Sequence, residues 1–271
     1  MINKKKIIWH NIKVYDLDIV SERIKFVEEN MNKLLPIYDK EKEILRNYAE
    51  THGLPIYEMI CLRNTIRIQK EINASRNFHL VIEKIKKQFS REVDEISTNN
   101  FKLEYFLKSI RMPLNHIFKL LESTQDFKKL SKKNLEFINK IKKKIKESEQ
   151  EIHYRAMQFE RSLEIYLADQ KLRFRTEEDI KIDKDYTITP DILFDEPITV
   201  ELDGVKHVIR WMDAKNYMLV NVPFIMKSLH KQAAKYNNTF GPGAFVFHYG
   251  YDKTIAIPNT TILDGSFLEP L

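Results

Sequence analysis

The sequence predicts a two-part chain: a helical, basic, N-terminal domain over residues 1–148, and an α/β domain with a central mixed sheet over residues 149–271. Three observations carry this. Apolar residues recur at helical spacing with few breakers through the first 170 or so positions, whereas eleven of the fifteen Gly and Pro residues fall at or after Pro190. Residues 1–150 hold 31 Lys and Arg against 21 Asp and Glu, a charge of +10, whereas residues 151–271 hold 14 against 18, or −4. A basic helical half suits a polyanion such as nucleic acid, and an acidic half can supply carboxylates for a divalent cation; solvated helix faces are the plain alternative.

A composition of 43% hydrophobic and 31% charged residues supports a folded chain with a strongly charged surface. The single cysteine, Cys61, excludes an intrachain disulfide and a Cys-rich zinc site, and points to an intracellular protein. The start of the chain lacks a signal-peptide core, and no later run approaches a membrane span.

In chain order, Leu17, Val20, Ile24, Val27, Met31 and Leu34 mark a first amphipathic helix that Pro36 ends. Ile44, Leu45, Tyr48 and Ala49 mark a second, stopped at His52-Gly53-Leu54-Pro55. A third runs from about Ile56 to Ile72. Short helices over Ser90 to Glu122 break at Ser97 to Asn100 and again before Met112-Pro113-Leu114. The last carries Arg111, His116 and Lys119, an arrangement that suits a helix-turn-helix unit on nucleic acid and equally a plain helical bundle. Nine lysines from Lys128 to Lys146 then alternate with Leu130, Leu135, Ile138, Ile141 and Ile145, a basic amphipathic helix whose phosphate contacts would be sequence-independent. A nuclear-localisation patch or a solvated linker helix has the same pattern.

The second half begins with a helix around Ala156 to Ala168. Strand runs Ile198 to Leu202 and His207 to Met212 flank Asp203-Gly204, a hairpin signal. Asp213 and Lys215 follow the second run and share one face, with Asp191 after Pro190 placed to meet them across the hairpin. Two carboxylates can hold Mg²⁺ through oxygen while an ammonium orients water or stabilises a phosphorane, so the pattern suits phosphodiester hydrolysis. Four acid-x-Lys triplets occur, starting at Asp126, Asp169, Asp179 and Asp213; only the last has both a long apolar strand before it and a Pro-Asp upstream. A helix from about Phe224 to Asn237 carries Gln232 and Tyr236 on one face and Lys231 and Lys235 as a parallel basic pair expected to contact nucleic acid, and Phe240-Gly241-Pro242-Gly243 turns into a strand from Ala244 to Tyr249. No phosphate loop, zinc helix or nucleophile elbow is present.

Pro190-Asp191 followed by Asp213-Ala214-Lys215, in strands between two helices, resembles the core of the PD-(D/E)XK nuclease superfamily. Within it, the Thr189-Pro190-Asp191 lead, the strand Ile209 to Lys215 and Phe240-Gly241-Pro242-Gly243 resemble the codanin-interacting nuclease family. The resemblance implies a restriction-endonuclease-like α/β core. It makes Asp191 and Asp213 metal ligands with the Ala214 carbonyl, Lys215 the catalytic lysine, and Glu160 a further carboxylate from the preceding helix; Glu201 and Asp203 are alternatives to Glu160. Gln232 and Tyr236 resemble a motif of the RecB-like branch that lies near the site and contacts nucleic acid. The implied activity is Mg²⁺-dependent hydrolysis of DNA or structured nucleic acid, with Mn²⁺ as an alternative metal. The rival reading is a non-catalytic adaptor for a codanin-like partner. A homodimer and a nuclear and cytoplasmic location belong to the same expectation.

Overall fold

A computed structural model describes residues 5–31, 39–76, 78–110, 113–183 and 186–268. In chain order the elements are β1 (Lys6–Trp9), β2 (Val14–Tyr15), α1 (Leu17–Asn30), α2 (Asp39–Thr51), α3 (Ile56–Ser75), α4 (Phe78–Thr98), α5 (Asn100–Ser109), α6 (Leu114–Glu122), α7 (Lys132–Asp169), β3 (Phe174–Thr176), α8 (Glu177–Asp183), β4 (Ile192–Leu202), β5 (Val205–Lys215), α9 (Pro223–Phe240), β6 (Gly243–Phe247), β7 (Tyr251–Asp252) and β8 (Thr260–Asp264). Contacts divide the chain into two compact units, residues 24–151, and residues 1–23 together with 152–271. Among the described residues no helix is long and apolar enough to cross a membrane.

The unit over 24–151 is helical. Phe89, Val93 and Ile96 of α4, Leu103 and Phe106 of α5, Ile117, Phe118 and Leu121 of α6, and Ile138 and Ile141 of α7 repeat at three- and four-residue intervals and bury one another. The breaks between α4, α5 and α6 fall where the sequence placed them. Between α2 and α3 the buried Arg63 guanidinium lies 3.5 Å from Glu41, so a charge in the interior is paired. The lysine-rich helix and the helix near Ala156 are one helix, α7, because an amphipathic stripe continues through both.

The second unit is a mixed sheet flanked by helices. Its strand order is β1-β4-β5-β6-β8, with β3 also on β4. The β4–β5 and β3–β4 pairs are antiparallel, and the β1–β4, β5–β6 and β6–β8 pairs are parallel. Phe159, Leu163 and Leu167 of α7 pack on one face with Ile7, Trp9, Met212 and Ala214. Ile225, Leu229, Ala233 and Tyr236 of α9 pack on the other with Trp211, Phe245 and Phe247.

The N-terminal residues differ from the sequence division. Read as part of the helical domain, residues 5–15 instead complete the sheet unit, with Ile7 and Trp9 in its core. Asp264, fully buried, accepts hydrogen bonds from the Ile12 and Lys13 amides at 2.8 Å each, and the Trp9 indole donates to the Asp264 carbonyl at 2.8 Å. The two short strand runs are the distal part of one long hairpin, β4 and β5, interrupted by a bulge between Leu193 and Ile198 that contains Pro197. The bulge has a consequence for facing. Ile209 and Met212, three residues apart on β5, share the α7 face, while Trp211 turns to the α9 face. Asp213 and Lys215 alternate in step with Trp211 and so project with it.

Candidate functional site

The hairpin returns β5 beside the entry to β4, pairing Ile192 with Met212, so Asp191 and Asp213 become neighbours although 22 residues separate them. The Asp191 Oδ2 accepts a hydrogen bond from the Ala214 amide at 2.7 Å, which fixes the carboxylate against β5. The Lys215 ammonium is ion-paired to Asp213 Oδ1. Asp213 is 2% exposed. Its second oxygen accepts from the Gln232 side-chain amide at 2.9 Å, and that amide also donates to the Tyr236 hydroxyl at 3.0 Å. Tyr236 donates in turn to the Thr189 carbonyl at 2.8 Å. One turn of α9 thereby ties Asp213 to the Thr189-Pro190-Asp191 lead.

The carboxylates crowd one another, with Lys215 as the neighbouring cation. Burial raises the Asp191 carboxyl to about 8, and the charge of Asp213 adds to the effect against the opposing influence of Lys215. Burial and then the Asp213 charge likewise raise the Tyr217 and Tyr236 phenols. Glu160, half-buried on α7, is raised by burial, then by Asp213 and by Glu177. Burial acts to raise Glu177 too, but hydrogen bonds from Lys181 and Thr189 hold it below the usual carboxylate range. Two adjacent carboxylates that repel each other, Asp213 buried and Asp191 partly so, offer only hard oxygen donors and fit a small divalent cation bound through one or two carboxylates and water. Among the described residues no group of three Asp, Glu, His or Cys side chains converges into a complete cage; Glu160 stands within the field of Asp213, and its own charge reaches Asp191.

Other sequence candidates fall elsewhere. Glu201 is ion-paired to Lys6 at 2.5 Å and Asp203 sits in the hairpin turn, both at the opposite end of the hairpin from Asp213, which removes them as alternatives to Glu160. Lys231 and Lys235 are exposed on α9 beside Gln232. Lys119 is exposed on α6 of the helical unit, and Arg111 lies outside the described residues. Phe240 to Gly243 does more than turn the chain: the Trp211 indole donates to the Gly241 carbonyl at 2.9 Å.

Sequence reasoning passes over three neighbours of the site. Thr189 donates through its hydroxyl to Glu177 at 2.9 Å, so α8 braces the lead into β4. Tyr217 lies within the field of Asp213. His248 shares a 2.8 Å hydrogen bond with Asn216, stacks on Phe159 at 4.3 Å, and donates its backbone amide to the Lys215 carbonyl at 3.0 Å. Proximity in sequence to Lys215 is the one signal for Tyr217; Glu177 and His248 have none, because α8 and β6 bring them in from afar.

A family model described as "Protein of unknown function TPD sequence-motif" matches residues 126–266. The uncharacterized protein L539 of Acanthamoeba polyphaga mimivirus is 39% identical over 263 residues, covering 97% of this chain and 96% of its own. The proteins named CDAN1-interacting nuclease 1 in Xenopus laevis and Xenopus tropicalis are each 34% identical over 85 residues, 31% of this chain and 26% of theirs. No solved structure matches. The family match takes in more than half of the 271 residues, including Glu160, both aspartates, Lys215 and the Gln232–Tyr236 pair, and the chain therefore belongs to the TPD sequence-motif family, that of the codanin-interacting nucleases.

Proposed function

We propose that the sheet unit is a restriction-endonuclease-like nuclease domain hydrolysing phosphodiester bonds in DNA or structured nucleic acid, with the helical unit as its basic, helix-turn-helix-like companion. The convergence of Asp191, Asp213 and Lys215 carries the proposal. Asp191, raised to about 8 by burial and then by the Asp213 charge, is costly to ionise beside the Asp213–Lys215 pair unless a further cation joins the site. Asp191 and Asp213, with the Ala214 carbonyl, would hold Mg²⁺, or Mn²⁺ in its place. The bound ion supplies charge stabilisation at the phosphoryl oxygens and lowers the pKa of a bound water.

The chain's own groups do the rest. Gln232 holds Asp213 in one orientation, and the Ala214 amide does the same for Asp191. Lys215, 5.4 Å above the Phe245 ring and only 17% exposed in its side chain, is held short of solvent where its ammonium can orient the attacking water and meet developing negative charge. Gln232 and Tyr236 act here as positioning residues, since their polar atoms are engaged within the protein. Lys119 and the lysines of α7 would contact backbone phosphates.

The names of the Xenopus relatives favour one other reading, an adaptor that binds a codanin-like protein without cutting. Cleavage of labelled single-stranded, duplex, flap and four-way-junction DNA, with Mg²⁺, Mn²⁺ or EDTA, separates the two. The expected result is metal-dependent cutting, reduced at least ~100-fold in Asp213→Asn and Lys215→Ala with folding retained. Folded wild-type protein that cuts none of these substrates would make the adaptor the better reading.

A further inference from the structure

Beside the carboxylates, α9 and the segment leading into β4 enclose a solvent-open cavity of about 510 Å³. Thr189, Ser228, Lys231, Gln232, Lys235 and Tyr236 form most of its wall, and no acidic side chain contributes. Lys231 and Lys235 stand one helical turn apart, both exposed, and neither has a carboxylate partner among the described residues. Lys129, Lys142, Lys143 and Lys144, by contrast, meet Asp126, Glu122, Glu147 and Asp39.

The hydrogen bonds sort the wall by availability. Thr189 is committed to Glu177, and Tyr236 to the Thr189 carbonyl. Gln232 is committed to Asp213 and Tyr236, so a single glutamine side chain separates this cavity from the candidate catalytic carboxylate. What remains for a ligand is two ammonium groups and the Ser228 hydroxyl: donors without a competing acceptor, the chemistry of a tetrahedral oxyanion site.

On the nuclease reading above, we infer that this cavity is a phosphate-binding subsite that takes a phosphate of the bound nucleic-acid strand close to the scissile one. Its occupant is either an internal phosphodiester or a terminal phosphomonoester. Both present the same oxygens, and the monoester carries the larger charge.

The test is equilibrium binding of fluorescent single-stranded oligonucleotides by the full chain in EDTA, across a salt series, with 5′-phosphate, 3′-phosphate or hydroxyl ends. The Lys231→Ala/Lys235→Ala double variant is compared with wild type and with Lys206→Ala, an exposed lysine at the far end of β5. The double variant is expected to bind about tenfold or more weakly and to lose about 1.4 from the slope of log affinity against log salt, as two phosphate contacts to a single strand require. If wild type prefers a phosphorylated end and the double variant does not, the occupant is the terminal phosphate. If end chemistry is irrelevant while the slope still falls, it is an internal one. A double variant indistinguishable from Lys206→Ala overturns the proposal, as does wild-type protein that binds no strand. Because no cleavage is read, a lost salt slope in a protein that never cuts would leave the subsite standing and the nuclease reading fallen.

Discussion

Asp191 and His248 set opposite pH responses in one unit, and the signs are fixed by where each group titrates. Asp191 ionises near its ordinary 3.8 when unfolded but at about 8 when folded, so between those values the folded state holds a proton the unfolded state has released. Its contribution to stability is fully present below about pH 4 and is lost as pH rises through 8, at up to ~1.4 kcal/mol per pH unit. His248, pushed down to about 4 by burial and by Lys13 and Arg155, works the other way: its contribution is present above about 6.5 and is lost as pH falls towards 4. Urea melts of wild type and Asp191→Asn in EDTA at pH 5 and pH 8 isolate the first effect. Wild type is expected to lose ~2–4 kcal/mol relative to the variant over that interval. Mg²⁺ is expected to restore stability to wild type at pH 8 and not to the variant. Equal pH slopes in the two proteins would show that Asp191 is not frustrated. At this scale the sequence was informative, because carboxylates and a lysine at strand ends carry their own chemistry. Their hydrogen-bond partners were not legible, since nothing in Gln-x-x-x-Tyr spacing says that the hydroxyl points inward to Thr189.

The β4–β5 hairpin aims the site, and its neighbour β6 holds it to that aim. A Cβ on Gly243 would sit 2.1 Å from the Trp211 ring, so glycine is the residue that lets β6 pair closely with β5 while the indole lies flat across it. Gly243→Ala is expected to cost ~1–3 kcal/mol or more through displacement of Trp211, two residues before Asp213, with a matching change in near-ultraviolet circular dichroism. An unchanged melt and spectrum would mean the strands part without strain. Asp203-Gly204 announced the hairpin, because the positive φ values of 49° and 79° demand such residues locally. The strands' full length was hidden by Pro197, which reads as a strand breaker and is accommodated in the bulge. Likewise β1 left no local signal. Four residues, Lys6 to Trp9, pair in parallel with β4 almost two hundred positions away, and only the tertiary partner makes them a strand.

For the whole molecule, that distant pairing decides what can fold alone. Residues 24–151 contain their own core, drawn from α4 to α7. The sheet unit does not lie in one stretch of sequence: β1 contributes Ile7 and Trp9 to its core, and the amides of Ile12 and Lys13 satisfy the fully buried Asp264. A fragment starting at residue 149, where the sequence alone places the domain boundary, would expose one side of β4, leave Asp264 without two donors and open the layer that Trp9 fills. The Trp9 side chain by itself accounts for ~3–5 kcal/mol, and a buried carboxylate left with only its Ser266 donors adds to that, which approaches the total stability of a domain this size. The fragment 149–271 is therefore expected to lack a cooperative thermal transition and dispersed amide resonances, whereas 24–151 alone melts cooperatively with helical circular dichroism. Trp9→Ala in the full chain provides the graded version. Both tryptophans, Trp9 and Trp211, belong to the sheet unit, so fluorescence follows that unit alone, and its denaturation midpoint should fall while Trp211 continues to report a single transition. A fragment 149–271 that folds and melts like the full chain would show that the N-terminal strand is dispensable, and the division at 148 would then stand as the sequence first suggests.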